Sequence, residues 1–377
     1  MERRVHPLPC ASIGQQRALV SLHFGAPGRR KIYLQASLHA EELPGMLVLH
    51  HLREALLQAE QDGLLAGEVV LVPLANPIGL SQRINHRPTG RFELDTAQNF
   101  NRHYPDLADA VFEQARARLG QDAEENIRTV RELVGRWLDD WQPASELDAQ
   151  RRCLLRLAHD AEAVLDLHCD AEAALHMYTE APCWPALEPL ARLLGCEAIL
   201  LARDSGGGPF DERLSGLWWQ LAERLARAGM QVPLPQACAS TTVELRGEAD
   251  VSHDLARVDA QALIAYLAHI GMVRGQTSGL PALRCQPTPL AGSQTLRSPV
   301  PGLVAFRAAP GTRLRAGEAV ADIIDPTSEG ASRVHTVCTD VEGVFYARVR
   351  DRYVHAGGEL GKVAGAVPFR HGDLLGA

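Results

Sequence analysis

The stretch KIYLQASLHAEELPGMLVLHHLREALLQAEQDGLLAGEVVLVPLA, residues 31–75, decides the fold. KIYLQAS and EVVLVPLA are short runs with strand character, and PGMLVLHHLREALLQAEQDG between them reads as a helix. Strand, helix, strand at this spacing predicts a βαβ unit in a largely parallel sheet. His39 and Glu42 stand where the first strand gives way to the helix. Such a pair is either a solvated turn or two metal ligands on one short loop.

Working outward, ALVSLHF precedes this unit as a further β run. Residues 76–106 are rich in Asn, Pro, Gly and Arg without a clear period, which predicts a long loop. Residues 106–162 carry Ala, Leu, Glu and Arg with few breakers and read as a helical insertion. AVLDLHC (163–169) returns to a buried strand, and ALHMYTE is a further short one. PALEPLARLLG and LSGLWWQLAERLARAG are helices separated by the loop RDSGGGPFDE. ASTTVELRG (239–247) is a β run followed by an amphipathic helix. These elements place one large α/β domain over residues 1–275 and a linker over 276–295. Residues 296–377 read as all β, with two similar halves, GLVAFRAAPGTRLRAGEAVADIIDP and GVFYARVRDRYVHAGGELGKVAG. That pattern predicts a small sandwich or barrel built from a pseudo-repeat.

Bulk properties exclude some classes of function. The chain has 377 residues and a net charge of −8, which argues against a nucleic-acid or anionic-membrane partner. Of 38 basic residues only Lys31 and Lys362 are lysine, a bias first of composition. No apolar run is long enough to span a bilayer, and the N-terminus has no secretory apolar region. Eight scattered cysteines without a CxxC pair read as reduced thiols of a cytoplasmic protein.

Four further features could carry chemistry. Asp166 and His168 alternate onto one face of their strand, and His168 ends it, where it could supply a third metal ligand. Glu244 puts a carboxylate inside an apolar β run, which is costly unless paired or used, and beside a metal it suits a general base. An edge strand with Glu244 facing solvent is the plainer alternative. In NFNRHYP, Asn101 and Arg102 suit a carboxylate ligand. Arg83, Arg87 and Arg91 upstream compete for the task of holding an oxyanion.

HAEE, NP.G, NFNR.YP, DLH and TVEL, in that order, resemble the zinc carboxypeptidase superfamily. Within it the chain looks most like the succinylglutamate desuccinylase/aspartoacylase family, over most of residues 30–270. The resemblance implies an α/β fold with a mixed twisted sheet and helices on both faces, plus a C-terminal β domain. It implies one zinc per chain held by His39, Glu42 and His168, with Glu244 as the carboxylate that activates water and returns the proton to the leaving amine. Asn101 and Arg102 match the pair that grips a substrate carboxylate, and Arg91 falls where relatives carry the arginine that polarises the scissile carbonyl. Relatives often have Gly after the first His and Asp or Asn before the Glu; here Ala40 and Glu41 stand there, and Glu41 could rival Glu42. Relatives also use a tyrosine, for which Tyr178 and Tyr353 are open candidates.

The expected activity is hydrolysis of the amide bond of a small N-acyl amino acid or related amine. The expected partner is that small molecule, with no nucleic acid and no membrane; a homo-oligomer is allowed. A zinc carboxypeptidase acting on peptides and a non-catalytic small-molecule-binding protein on the same fold are the alternatives. The β tail resembles lipoyl or biotinyl carriers, but the segment between its halves has no lysine. That excludes a swinging arm and leaves the tail to pack over the cleft. Asp211 and Glu212 in RDSGGGPFDE suit either a second amine on the substrate or a helix N-terminus.

Overall fold

A computed structural model describes residues 1–10, 12–28, 30–275 and 279–375. Residues 276–278, at the start of the expected linker, lie outside the described residues. The expected βαβ unit is present: strand Lys31–Ala36, helix Pro44–Gln61 and strand Glu68–Val72, with the two strands parallel and adjacent. They lie in a nine-stranded mixed sheet. Its order is Glu2–Leu8, Arg17–Phe24, Glu68–Val72, Lys31–Ala36, Ala163–Asp170, Ala239–Gly247, His176–Glu180, Ala198–Ala202, Thr288–Pro289. The four-strand centre from Glu68–Val72 to Ala239–Gly247 is parallel, and its strand ends meet at one edge.

Both faces of this sheet are covered, which is why its strands read as nearly continuous apolar runs. Ile32, Leu34 and Ala36 pack with helices Pro44–Gln61, Trp184–Leu194 and His253–His269. Tyr33, Val70, Val72 and Val164 face the opposite way. They meet Phe210–Arg227 and the three helices of the central helical stretch, Leu107–Arg118, Ala123–Asp140 and Glu146–Ala158. Gly45 permits one close approach: a Cβ there would lie 2.9 Å from the Cβ of Ala36 and 3.0 Å from that of Leu167. Overpacking of this kind costs about 1–3 kcal/mol, so Pro44-Gly45 lets the helix start hard against the two strands that flank the HAEE loop.

The C-terminal segment forms two antiparallel sheets. The two halves exchange their short middle strands. Thr312–Leu314 of the first half pairs with Gly343–Arg348 of the second, and Tyr353–Val354 of the second pairs with Gly302–Phe306 of the first. Neither half closes its sheet alone, so the pseudo-repeat is one folding unit. These sheets join the larger one through Glu172–Ala173, which pairs with Gly343–Arg348 just beyond His168. Ion pairs of Lys362 with Asp170 at 3.1 Å, Arg348 with Glu172 at 2.7 Å and Arg350 with Glu248 reinforce the junction. Among the described residues no helix is long and apolar enough to cross a membrane.

Candidate active site

The loop after strand Lys31–Ala36 is a tight turn. Ser37 adopts a left-handed backbone (φ 56°), and its Oγ donates to the Glu42 carbonyl at 2.8 Å. The Glu42 amide donates to the His39 carbonyl at 3.0 Å. These bonds bring the two side chains of the His-x-x-Glu together in the interior, each about 3–4 % exposed. The loop is clasped from outside by Gly90. The Ala40 amide donates to the Gly90 carbonyl at 3.0 Å, and the Gly90 amide donates to the Glu41 carboxylate. A Cβ on Gly90 would stand 2.7 Å from that of Ala40. Ala40 therefore fits because position 90 is glycine, and Glu41 serves as a loop staple. Asn76 of NPIG completes the clasp, donating from Nδ2 to the Leu38 carbonyl at 2.9 Å and accepting from the Gly79 amide at 2.7 Å.

His168 arrives from strand Ala163–Asp170, the parallel neighbour of Lys31–Ala36. His39 Nδ1 lies 3.0 Å from Glu42 Oε1, and His168 Nδ1 lies 2.7 Å from Glu42 Oε2. One ligand atom from each of the three residues lies within 4.8 Å of the other two. Two imidazoles and a carboxylate converging this way fit zinc. The far side of each ring is also held, as metal-binding histidines require. Asn99 Oδ1 accepts from the Asn101 amide at 2.8 Å, which fixes which end of that amide is oxygen. The same oxygen accepts from His39 Nε2 at 2.9 Å, so the ring proton sits on Nε2 and Nδ1 keeps its lone pair. Asp166 Oδ2 lies 3.1 Å from His168 Nε2, an ion-pair contact off the line of a hydrogen bond.

The electrostatics are those of a cation site. Burial and the nearby Arg91 guanidinium push His39 down to about 4, so its ring stays neutral. Burial opposes a charge on His168, but Asp166 and Glu42 outweigh it and hold the imidazolium well above its ordinary range. Burial would likewise raise Glu42, yet the two imidazoles hold it well below the usual carboxylate range.

Glu244 lies on strand Ala239–Gly247, directly across from His168. This strand is flanked on both sides, so Glu244 faces the cavity and not solvent from an edge. Its Oε2 is buried without a partner, and burial beside Glu42 pushes its carboxyl up to about 8. Arg91 Nη1 donates to Glu42 Oε1 at 3.1 Å and approaches His39 Nδ1 at 3.3 Å. Arg83 and Arg87 instead belong to an exposed two-stranded hairpin away from the cavity. Asn101 Oδ1 accepts from the Phe210 amide at 2.9 Å, which leaves its Nδ2 as the free donor end. Arg102 Nη1 donates to the Asn101 carbonyl at 2.7 Å and runs past Gly207, where a Cβ would meet Arg102 Cδ at 2.6 Å.

These groups line a cavity of about 660 Å³. Its other wall comes from the C-terminal sheets, which contribute Ser293, Tyr346 and Lys362. Tyr178 lines it as well, whereas Tyr353 is 56 % exposed on the outer surface. Asp211 and Glu212 open helix Phe210–Arg227 and also line the cavity; Glu212 accepts from the Ser205 amide, and Asp211 accepts from Thr242 Oγ1 at 3.0 Å. Asn99, Tyr346 and Lys362 are site residues that the sequence reading did not single out as such. Asn99 had a signal, standing two residues before Asn101 in the same NFN; the other two had none.

A family model described as the succinylglutamate desuccinylase/aspartoacylase catalytic domain matches residues 28–270. Among solved structures, the chain is similar to a succinylglutamate desuccinylase/aspartoacylase family protein from Shewanella amazonensis SB2B, at 25 % identity and a TM-score of 0.83, covering 97 % of this chain and 98 % of that one. A second such protein, from Shewanella frigidimarina NCIMB 400, is 24 % identical with a TM-score of 0.82 over 97 % of each chain. The product-bound ectoine utilization protein EutE (DoeB) from Ruegeria pomeroyi shares the fold at 13 % identity, with a TM-score of 0.66 over 96 % of this chain and 95 % of that one. No curated protein matches the chain.

Proposed function

The chain belongs to the succinylglutamate desuccinylase/aspartoacylase family, and on that premise we propose that it is a zinc-dependent deacylase cleaving the amide bond of a small N-acyl amino acid or related N-acyl amine. The observation that carries this reading is the buried His39–Glu42–His168 donor set with the unpartnered Glu244 carboxylate across from it. Zinc held by those three residues would act as a Lewis acid and supply a water acidified to a pKa of about 7.

The chain's own groups account for the rest. Glu244 accepts a proton from the attacking water and returns it to the leaving nitrogen. Arg91, which reaches the rim of the donor set, stabilises negative charge developing on the acyl oxygen. Asn101 Nδ2 and Arg102 hold a carboxylate of the substrate and so set the amide against Glu244. The wall made by the C-terminal sheets closes the cavity on the side away from the larger sheet, which favours a small substrate over a peptide.

Metal analysis of the purified full chain and a panel of N-acetyl and N-succinyl amino acids beside short peptides test the proposal together. About one zinc per chain at the donor set and hydrolysis of N-acyl amino acids in preference to peptides are expected. Peptide trimming from the C-terminus would favour a carboxypeptidase. Failure to take up zinc at these residues would sink the metal reading.

A further inference from the structure

A second set of metal-ligating side chains lies outside the cavity. His51 sits on helix Pro44–Gln61, and His253 is the first residue of helix His253–His269. The two helices share one apolar core through Leu52, Leu56, Ala256 and Ala260. At the solvent end of that seam, His51 Nε2 and His253 Nδ1 share a hydrogen bond at 3.0 Å, whose proton a metal ion bound between them would displace. The ring of His50 lies edge-on to His51, with centroids 5.2 Å apart. Burial, His50, Arg257 and His253 disfavour a proton on His51 and outweigh Glu54, one helical turn along in HHLRE, so the His51 ring tends to the neutral form that can ligate a metal.

We propose that His51 and His253 form a second site for a divalent transition-metal ion such as zinc, separate from the His39–Glu42–His168 set. Two nitrogens bound to one ion at about 2.0–2.1 Å, at angles between square and tetrahedral, lie about 2.9–3.4 Å apart. The observed separation falls in that span. Imidazole donors select zinc, copper or nickel over magnesium and calcium. His50 and His253 are exposed and His51 half-buried, so water completes the coordination without a burial cost. The apolar seam already fixes the helices, so little ordering is needed for the two rings to chelate. The ion would tie together the helix that starts at the HAEE loop and the helix that follows the Glu244 strand. It should therefore raise thermal stability.

Zinc titration of the chelator-stripped full chain against a chromophoric chelator tests this. His51→Ala/His253→Ala should take up one equivalent fewer than wild type and lose most of the zinc-induced rise in melting temperature. A His39→Ala/His168→Ala variant should keep the equivalent that His51 and His253 provide. If the cavity set holds no zinc, wild type binds a single equivalent and the His51→Ala/His253→Ala change removes it, so the two readings fail separately. A His51→Ala/His253→Ala chain that binds as many equivalents as wild type overturns the proposal.

Discussion

Asn99 determines which nitrogen of His39 faces Glu42. Its Oδ1 is pinned by the Asn101 amide at 2.8 Å and accepts from His39 Nε2 at 2.9 Å, which leaves Nδ1 bare on the side of the donor set. Replacing Asn99 by Ala should free the ring to flip tautomer and orientation. Loss of such a partner typically weakens metal binding about 10–100-fold. Competition with a chelator measures it, and an unchanged affinity would show the Asn99 bond to be incidental.

Glu244→Gln keeps the shape of the side chain and removes its basicity. We expect zinc content to stay at the wild-type level and turnover to fall by roughly 10²–10⁴-fold, the usual span of general acid–base catalysis. Full activity in the variant would remove Glu244 from the proton path.

The three arginines of the long loop should separate cleanly. Arg91 reaches Glu42 at 3.1 Å, whereas Arg83 and Arg87 sit on an exposed hairpin. Arg91→Ala should lower kcat by about 10²–10³-fold, as loss of an oxyanion donor does. Arg83→Ala and Arg87→Ala should leave kcat close to wild type. Equal losses in all three would point to a general effect of loop charge.

Lys362 tests whether the C-terminal sheets take part in the chemistry. Its ammonium pairs with Asp170 at 3.1 Å, and that charge holds the lysine above its ordinary range against the opposing effect of burial. It also lines the cavity. A hydrogen bond to a charged group is worth about 1.5–3 kcal/mol, so Lys362→Met should lower kcat/KM by about 10–100-fold. Metal content should be retained and Lys362→Arg should restore part of the rate. A variant that only melts earlier, with kcat/KM intact, would confine Lys362 to joining the sheets.

Stability should fall through Glu180 as pH rises from about 4.5 to about 8. Burial pushes this carboxyl up to about 8 from an ordinary value of 4.5, outweighing the donors Ser215 and Trp219. A folded-state pKa above the unfolded one means that the native state favours the protonated form. Its contribution is full below about pH 4.5 and is lost as pH rises through about 8. Glu180→Gln mimics the protonated form, so its melting temperature should gain on wild type as pH rises from about 4.5 to 8, and the gain should level off above that. A difference that does not vary with pH would contradict the burial of an ionising group there.

Much of the fold was legible because both faces of the central sheet are covered. That makes strands such as KIYLQAS and AVLDLHC apolar along their length and sets them off from the helices. His39, Glu42 and His168 were legible as candidate ligands because His and Glu near strand ends suit a metal, and because their order along the chain resembles the family's. Glu244 was legible because a carboxylate inside an apolar run needs a reason. Tyr346 and Lys362 were not, since the C-terminal sheets have a pattern of their own and nothing in it says which face meets the cavity. By sequence Glu41 rivals Glu42; in the structure its carboxylate accepts from the amide of Gly90, 49 residues on, a contact no local pattern encodes.

The sequence by itself determined the chemical inventory: a βαβ frame, two imidazoles and a carboxylate at its strand ends, and a lone Glu on the next strand. These depend on local periodicity and on residue type. The tertiary structure decided which His39 nitrogen is free, which of three arginines reaches the donor set, and which wall closes the cavity. Those outcomes depend on contacts between segments far apart in the chain, as with Asp170 and Lys362 or His39 and Asn99. Local pattern carries no record of such contacts, because their energy exists only once the sheets have met.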